Sequence, residues 1–419
     1  AWVRSGSFHE GHLQGAGVSH LVEHLVFKGT ENRGATELAR DVQDVGGYLN
    51  AYTSFDRTVY WVDAPKDGLS VAVDVVADLV SAATFPEEEF EREKDVIRRE
   101  IAMGNDDPGR VGSKLVLSTA FRTHPFREPI IGHESLFDRL TLDDAVGYYR
   151  RRYVPNNLFF VVAGDFDPDA VFEQIAGRFS GAERGFLPEE PIADEPAQMG
   201  RREARLEFPT ELAKVNLAWR IPGITHPDMP ALDVLADVLG SGRSSRLFRK
   251  VREEDGLAHS IGAHSYTPAS EGLFFLYADA DPANRDAATD AGLAVIGRLV
   301  REGVAPDEVK KAQKGALADQ FHTLVSTRGQ ASDLGSNWLL ARNLEFTKDY
   351  VEALEHVTPD RVREVAERYL VDRSLTMTSL DPGGARRNGK RPGAGARRAE
   401  VERVELPNGL TLLVREDMR

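Results

Sequence analysis

Apolar residues recur with helical spacing in two segments that also carry acidic or imidazole side chains. In residues 17–27 they fill one side of a helical wheel and leave an arc of about 100° to His20, Glu23 and His24. Residues 86–103 begin with proline and three glutamates, which suit the N-terminal turn of a helix. Each segment is therefore predicted to form an amphipathic helix.

A pattern typical of a capped helix followed by a strand occurs twice along the chain. The copies span residues 140–165 and 357–381, and the two Ala-Trp pairs that end in Trp2 and Trp219 are 217 residues apart, which matches the offset of the copies. Chance likeness between two common helix-strand units is the alternative, but it does not explain why the offsets agree at both ends. We interpret the pattern as an internal duplication.

The duplication divides the chain into two homologous units, residues 1–195 and 196–381, since 419 residues exceed the size of one hydrophobic core. Residues 382–400 lack apolar periodicity and are rich in glycine and arginine, which favours a solvated linker over a patch for anionic surfaces. Two apolar runs around Pro-Asn-Gly in residues 404–414 predict a β-hairpin. Because the chain also starts in mid-strand, we expect it to be the N-terminally truncated first half of a longer tandem protein, with 401–419 as the start of a third unit.

The composition of the chain limits the ligands that it can bind. A net charge of −15 disfavours binding through phosphate neutralisation, so we expect no nucleic-acid partner. The chain has no cysteine, so a metal would have to be held by histidine and carboxylate side chains. No segment of the sequence reaches the length of a membrane span.

His20 and His24 are one helical turn apart and can therefore grip one metal ion. Catalytic zinc takes three protein ligands and leaves one position for water, and neutral imidazole is a common nitrogen ligand. Glu23, beside the pair, is then placed to act as general base toward a zinc-bound water. A solvent-facing polar patch on an ordinary helix is the alternative interpretation, and a third ligand would decide between the two.

Two acids of the second predicted helix, Glu93 and Glu100, fall inside its apolar stripe. An unpaired carboxylate on a core-facing stripe is costly, so each acid needs a partner. A metal or a histidine hydrogen bond would provide one, and ion pairs with arginines such as Arg4 or Arg57 would do so equally well. The residues alone leave these alternatives open.

Three features of the sequence resemble the pitrilysin/insulinase family of zinc peptidases, in particular its mitochondrial processing peptidase-like two-unit module. They are the His-x-x-Glu-His helix, a glutamate 76 residues after its second histidine, and another glutamate seven residues before that one. Other segments similar to family landmarks are 46–53, 161–165, 242–248 and Gly132. The resemblance implies that His20, His24 and Glu100 bind zinc. It also implies that Glu23 is the base and that Glu93 is an outer carboxylate that orients a ligating histidine.

The fold implied by the resemblance is α+β, with two homologous units that each contain an antiparallel-rich sheet with helices packed on one face. In the family, the stretch that matches Asn50, Ala51 and Tyr52 is the edge strand onto which a substrate peptide adds. From the residues alone, an ordinary edge strand is the alternative, and Tyr52 could equally be a core residue or a pocket wall.

The second unit has lost the zinc motif, because Asp237, Gly240 and Ser241 stand at the positions equivalent to the two histidines and the base. In the family, the second unit instead supplies an arginine and a tyrosine, seven residues apart, that hold the substrate and the developing oxyanion. Here Arg252 is present, but His259 stands where tyrosine is usual.

The activity implied by the resemblance is that of a zinc-dependent endopeptidase, with one zinc ion per catalytic unit, acting on peptides or unfolded protein segments. A non-catalytic structural or chaperone-like family member is the alternative, and the complete set of motif residues favours the enzyme. The expected partners are peptide substrates and a second homologous half, in the same longer chain or as a dimer. We expect a periplasmic or secreted location rather than a cytoplasmic one.

Overall fold

The computed structural model describes residues 1–187, 192–268 and 270–383, and the backbone of two strands at 402–405 and 411–414. These residues form two units, each built on one β-sheet, and a separate two-stranded hairpin. Among the described helices, none combines the length and the apolar character needed to cross a membrane.

The first unit places most of its helices on one face of its sheet. Its elements are β1 (Trp2–Val3), α1 (Val18–Val26), α2 (Ala35–Asp44), β2 (Tyr48–Thr53), β3 (Thr58–Asp63), α3 (Leu69–Ser81), α4 (Glu87–Asp106), α5 (Pro108–Ala120), α6 (Glu134–Phe137), α7 (Leu142–Arg152), β4 (Leu158–Phe159) and α8 (Pro168–Phe179). In the described residues the strand order is β2-β3-β1-β4, with antiparallel pairing throughout. Alternate strand residues, including Leu49, Ala51 and Tyr60, pack into one core with α1, α3, α4 and α7.

The second unit repeats this arrangement. Its elements are β5 (Arg202–Phe208), β6 (Ala213–Pro222), α9 (Met229–Gly240), β7 (Ser260–Tyr266), β8 (Glu271–Ala280), α10 (Arg285–Glu302), α11 (Pro306–Leu324), α12 (Thr327–Ala341), α13 (Phe346–Glu355), α14 (Pro359–Tyr369) and β9 (Leu375–Pro382). The described strands lie in the order β5-β9-β6-β8-β7, antiparallel except for the parallel pair β5-β9. The predicted α+β class with antiparallel-rich sheets is confirmed.

One helix of each unit packs on the second face of the other unit's sheet. The prediction, which placed helices on one face of each sheet, did not include this packing. Helix α5 of the first unit packs across β5, β6 and β9, with Gly112 beside Asn216 and Leu380. Helix α12 of the second unit packs on the first sheet, where a Cβ at Gly335 would overlap the ring of Trp2. Each of the two sheets is therefore partly covered on its second face by a helix of the other unit.

The predicted helix followed by a strand is present at both places in the structure. Thr141 caps α7 and Thr358 caps α14, each by accepting a hydrogen bond from the backbone of the third helical residue. The strand that follows α14 is full length, whereas β4 spans only two residues of a longer apolar run.

The C-terminal hairpin is formed by β10 (Glu402–Glu405) and β11 (Thr411–Val414), which pair in antiparallel register. The hairpin prediction for residues 404–414 is thus confirmed at the level of the backbone. The predicted linker lies, from residue 384 onward, outside the described residues. The unit boundary at 195, the linker and the third unit stay predictions.

Hydrogen bonds of Glu195 hold the segment between the two units in place. Its buried carboxylate accepts hydrogen bonds from the backbone N–H groups of Arg122, Thr123 and His124, at 2.8, 2.8 and 3.1 Å, and one from the Thr123 hydroxyl at 3.1 Å. Arg202 at the start of β5 lies 3.4 Å from the other carboxylate oxygen. Glu195 therefore connects the loop after α5 to the first strand of the second unit.

Candidate metal centre

Helix α1 presents two histidines and a glutamate on the side that faces away from the core. Val18, Leu21 and Leu25 on its other side are fully buried. The polar side remains half-buried because it faces α4 and strand β2, which contact α1 directly. Helix α4 runs beyond the predicted end at 103 to Asp106 and brings its acids to this polar side.

The Glu100 carboxylate closes a three-residue cluster with the two imidazoles. Its Oε2 lies 3.9 Å from His20 Nε2 and 3.8 Å from His24 Nε2. In the part of the chain that the structure describes, this is the one group of three His, Cys, Asp or Glu side chains whose ligand atoms lie within 4.8 Å of one another. Ligands about 2.1 Å from a tetrahedral zinc would be roughly 3.4 Å apart, so these residues fit zinc after a shift of about half an ångström.

The cluster is open to solvent on one side. The His20, His24 and Glu100 side chains are 18%, 20% and 37% exposed. Two imidazole nitrogens and one carboxylate form a donor set that suits zinc and leaves a fourth position free for water. The arrangement can therefore hold a catalytic rather than a purely structural ion.

Glu93 orients His24 by a direct hydrogen bond. Its Oε2 lies 2.9 Å from His24 Nδ1, and its Oε1 lies 2.7 Å from Lys28 Nζ. Burial acts to raise the pKa of Glu93, but the hydrogen bonds from His24 and Lys28 lower the pKa overall. An ionised carboxylate only accepts, so His24 donates through Nδ1–H and keeps the lone pair of Nε2 for a metal.

The predicted alternative for the two acids, ion pairs with Arg4 or Arg57, is wrong. Arg57 pairs with Asp56 at 2.9 Å, and the Arg4 guanidinium lies over the ring of Phe159. Within the described residues neither arginine forms an ion pair with the acids of α4. The acids are compensated instead by the histidines of α1 and by Lys28.

His20 is held as a neutral imidazole. Burial, followed by the charge of His24, lowers the pKa of His20 to about 3. For His24, burial acts to lower the pKa, but the hydrogen bond with Glu93 and the nearby charges of Glu100 and Glu23 raise it overall. A neutral His20 is ready to bind a metal without first losing a proton.

Glu23 is fixed beside the ligands by the edge strand. Thr53 Oγ1 donates a hydrogen bond to Glu23 Oε2 at 2.5 Å. Burial raises the pKa of the Glu23 carboxyl and the charge of Glu100 adds to this, whereas the hydrogen bond from Thr53 and the charge of His24 oppose the rise. A carboxylate with a raised pKa is a better proton acceptor near neutral pH.

The residues predicted to bind substrate on the first unit lie on a true edge strand. Strand β2 pairs with β3 on one side, and no other described strand pairs with its outer side. Asn50 and Tyr52 are exposed on the face opposite the core, and Ala51 points toward α1. Tyr52 lines a cavity of about 640 Å³ between the first sheet and α12, so it is a pocket wall rather than a core residue.

Two family profiles cover most of the chain. The profile described as Insulinase (Peptidase family M16) matches residues 1–134, and the one described as Peptidase M16 inactive domain matches residues 139–316. An uncharacterized zinc protease of Mycobacterium tuberculosis is 32% identical over 392 residues, which cover 92% of this chain and 88% of that protein. This chain belongs to the insulinase family, M16.

Two further similar proteins agree with this assignment. A probable mitochondrial-processing peptidase subunit beta of Arabidopsis thaliana is 27% identical over 399 residues, covering 91% of this chain and 73% of that protein. The crystal structure of a protease from Helicobacter pylori is similar with a TM-score of 0.85 and 27% identity, covering 91% and 92% of the two chains. The predicted family is confirmed, and several relatives are named zinc proteases, which supports zinc at the level of the family.

The remaining predicted site residues of this M16 protein lie in the second unit. Arg252 belongs to a π-helical segment, Phe248–Glu254, and its guanidinium stacks on Phe248 at 4.6 Å. The exposed His259 ring is 3.0 Å from Asp281 Oδ1. Among the described contacts, neither side chain reaches the metal cluster, so their role stays a prediction.

Two residues of the site were missed from the sequence. Thr53 holds the proposed base Glu23, and Lys28 holds the outer carboxylate of Glu93. Neither residue belongs to the His-x-x-Glu-His motif or to the spacing of the two glutamates that follow it. The signals that the sequence did offer are that Thr53 falls in the landmark segment 46–53 and shares a face of β2 with Ala51, and that Lys28 follows His24 by four residues.

Proposed function

We propose that this M16 protein is a zinc metalloendopeptidase that hydrolyses peptides or unfolded protein segments at the α1–α4 cluster. The observation that carries the proposal is the convergence of His20, His24 and Glu100 with Glu23 directly beside them. Ligands from two helices, a base held by a strand and an exposed edge strand together supply the parts of a peptide-hydrolysing site.

In this proposal each residue has one task. A zinc ion held by His20, His24 and Glu100 would supply the Lewis acidity that makes a water proton labile near neutral pH. Glu23 would accept a proton from water at this position, with its carboxylate held by Thr53. Glu93 and Lys28 keep the ring of His24 in its binding orientation. The exposed edge of β2 pairs with the main chain of the substrate, which allows affinity without strict sequence selection.

The proposal also includes a second homologous half, in a longer chain or as a dimer. His259 replaces the tyrosine expected from the family resemblance, and it lies beside Asp281 rather than near the first unit's ligands. The oxyanion donors for this zinc site are therefore assigned to another half.

The test compares wild-type protein with Glu23→Gln, using zinc content by elemental analysis and cleavage of an internally quenched, unstructured peptide. We expect one zinc in both proteins and a rate at least about 10²-fold lower in the variant, because the amide cannot take a proton. Stoichiometric zinc with equal rates in both proteins would remove Glu23 as the base. Zinc with no hydrolysis in either, even with a second half added, would favour the non-catalytic alternative.

A further inference from the structure

The two zinc-ligating histidines of α1 are oriented in different ways. His24 has its Nδ1 fixed by Glu93. The Nδ1 of His20 is buried and, among the described residues, has no hydrogen-bond partner. The direction of the His20 ring therefore depends on the backbone of the first turn of α1, of which His20 is the third residue.

That first turn lacks a cap of its own. The N-cap residue, Gly17, has a left-handed backbone with φ of 76° and no side chain that could accept from the helix N–H groups. An uncapped turn frays readily, and fraying would move His20 more than His24, which lies one turn further along.

Glu10 supplies the missing acceptor from outside the helix. Its carboxylate is 2% exposed, and Oε1 accepts from Ser19 N at 3.1 Å and from Ser19 Oγ at 2.7 Å. Its Oε2 accepts from Gly15 N and Gly17 N, each at 3.2 Å. A carboxylate at this end of a helix also interacts favourably with the helix dipole.

The loop that leads into α1 has no space in which to shift. A Cβ at Gly17 would overlap the carbonyl of Ile131, and one at Gly132 would overlap the carbonyl of Ala16. His133 N donates to Gly15 O at 2.8 Å. With this loop pressed against residues 131–133, the bonds of Glu10 fix both the start of α1 and its position along the helix axis.

We propose that Glu10 is the positioning residue for His20, as Glu93 is for His24. Glu10 acts through Ser19 and the first turn of α1, and it touches neither metal nor substrate. The inference rests on the zinc site of the proposed function, and it adds a second carboxylate that positions a histidine of that site, at the N-terminal end of α1.

The test measures the zinc dissociation constant of zinc-free protein by competition with a chelator. We expect Glu10→Gln to bind zinc at least about 10-fold more weakly, the lower end of the range for outer partners of a metal ligand, because Glu10 acts on His20 through Ser19 and the first turn of α1. The matched control is Glu37→Gln: Glu37 accepts from Gly34 N at 2.8 Å at the start of α2, a helix with none of the proposed ligands. That control should bind zinc within about twofold of wild type.

Ser19→Ala keeps the proposal testable if Glu10→Gln does not fold. It removes the 2.7 Å contact but leaves the carboxylate, so we expect a smaller loss of zinc affinity, of about threefold to tenfold. In zinc-free protein, hydrogen exchange at the amide of Ser19 should be faster in both variants than in wild type.

Three results would count against the inference or its basis. Wild-type affinity in a folded Glu10→Gln protein would overturn the positioning role. Equal loss of affinity in Glu10→Gln and Glu37→Gln would show a general loss of stability instead of positioning. If wild-type protein itself bound no zinc, the proposed function would fall, and the inference with it.

Discussion

The bond network of Glu195 leads to a prediction about stability and pH. Burial acts to raise the pKa of Glu195, but hydrogen bonds from the backbone of Thr123, His124 and Arg122 outweigh it and lower the pKa from 4.5 to about 2. A difference of about 2.5 pKa units corresponds to roughly 3 kcal/mol. Because the folded-state pKa is lowered, this stabilisation is fully present above about pH 5 and is lost as the pH falls toward 2.

Glu195→Gln removes the charge while keeping the shape of the side chain. We expect the free energy of unfolding in urea to fall by about 2–3 kcal/mol at pH 7 and by less than half of that at pH 3. The matched control is Glu203→Gln on β5, because among the described residues the half-exposed Glu203 forms an ion pair with Arg205 alone, and it should change stability by less than about 0.5 kcal/mol. A stability difference for Glu195→Gln that is the same at pH 7 and pH 3 would refute the reasoning.

The remaining predictions concern the candidate metal site and the proposed oxyanion donor. Glu100→Ala should contain no zinc by elemental analysis, and stoichiometric zinc in this variant would exclude Glu100 as the third ligand. Glu93→Ala should weaken zinc binding by about 10–100-fold. Thr53→Val should keep zinc and lower the hydrolysis rate, since Glu23 loses its orienting hydrogen bond, and an unchanged rate would show that the bond is not needed. His259→Tyr alone should leave the peptide hydrolysis rate of the isolated protein unchanged. A second half added in trans should raise that rate by about 10²-fold. Full activity without that half would make His259 itself the oxyanion donor.

The positions of the candidate metal-binding residues could be predicted from the sequence because they lie on regular helices, although their choice as a ligand set came from the family resemblance. Helical spacing places His20 and His24 on one face of α1, and the wheel of α4 places Glu93 and Glu100 on one face of α4. An acid on an apolar stripe needs a partner, and in the structure a histidine of α1 lies beside each of Glu93 and Glu100.

The contacts between distant segments could not be predicted in the same way. Thr53 meets Glu23 because the edge strand passes beside α1, and only the folded sheet determines which strand residue lies there. Glu195 lies in a segment without periodicity, so nothing in its neighbours indicates that three backbone N–H groups will surround it. The exchange of α5 and α12 is equally invisible, since an amphipathic pattern shows that a helix packs but not on which sheet.

Crystals of the protein grown with zinc and measured at the zinc absorption edge would test the central claim most directly. We expect one anomalous peak per chain, about 2.0–2.2 Å from His20 Nε2, His24 Nε2 and a carboxylate oxygen of Glu100. A strong peak on other residues, or none between α1 and α4 in zinc-saturated crystals, would contradict the assignment of the metal centre.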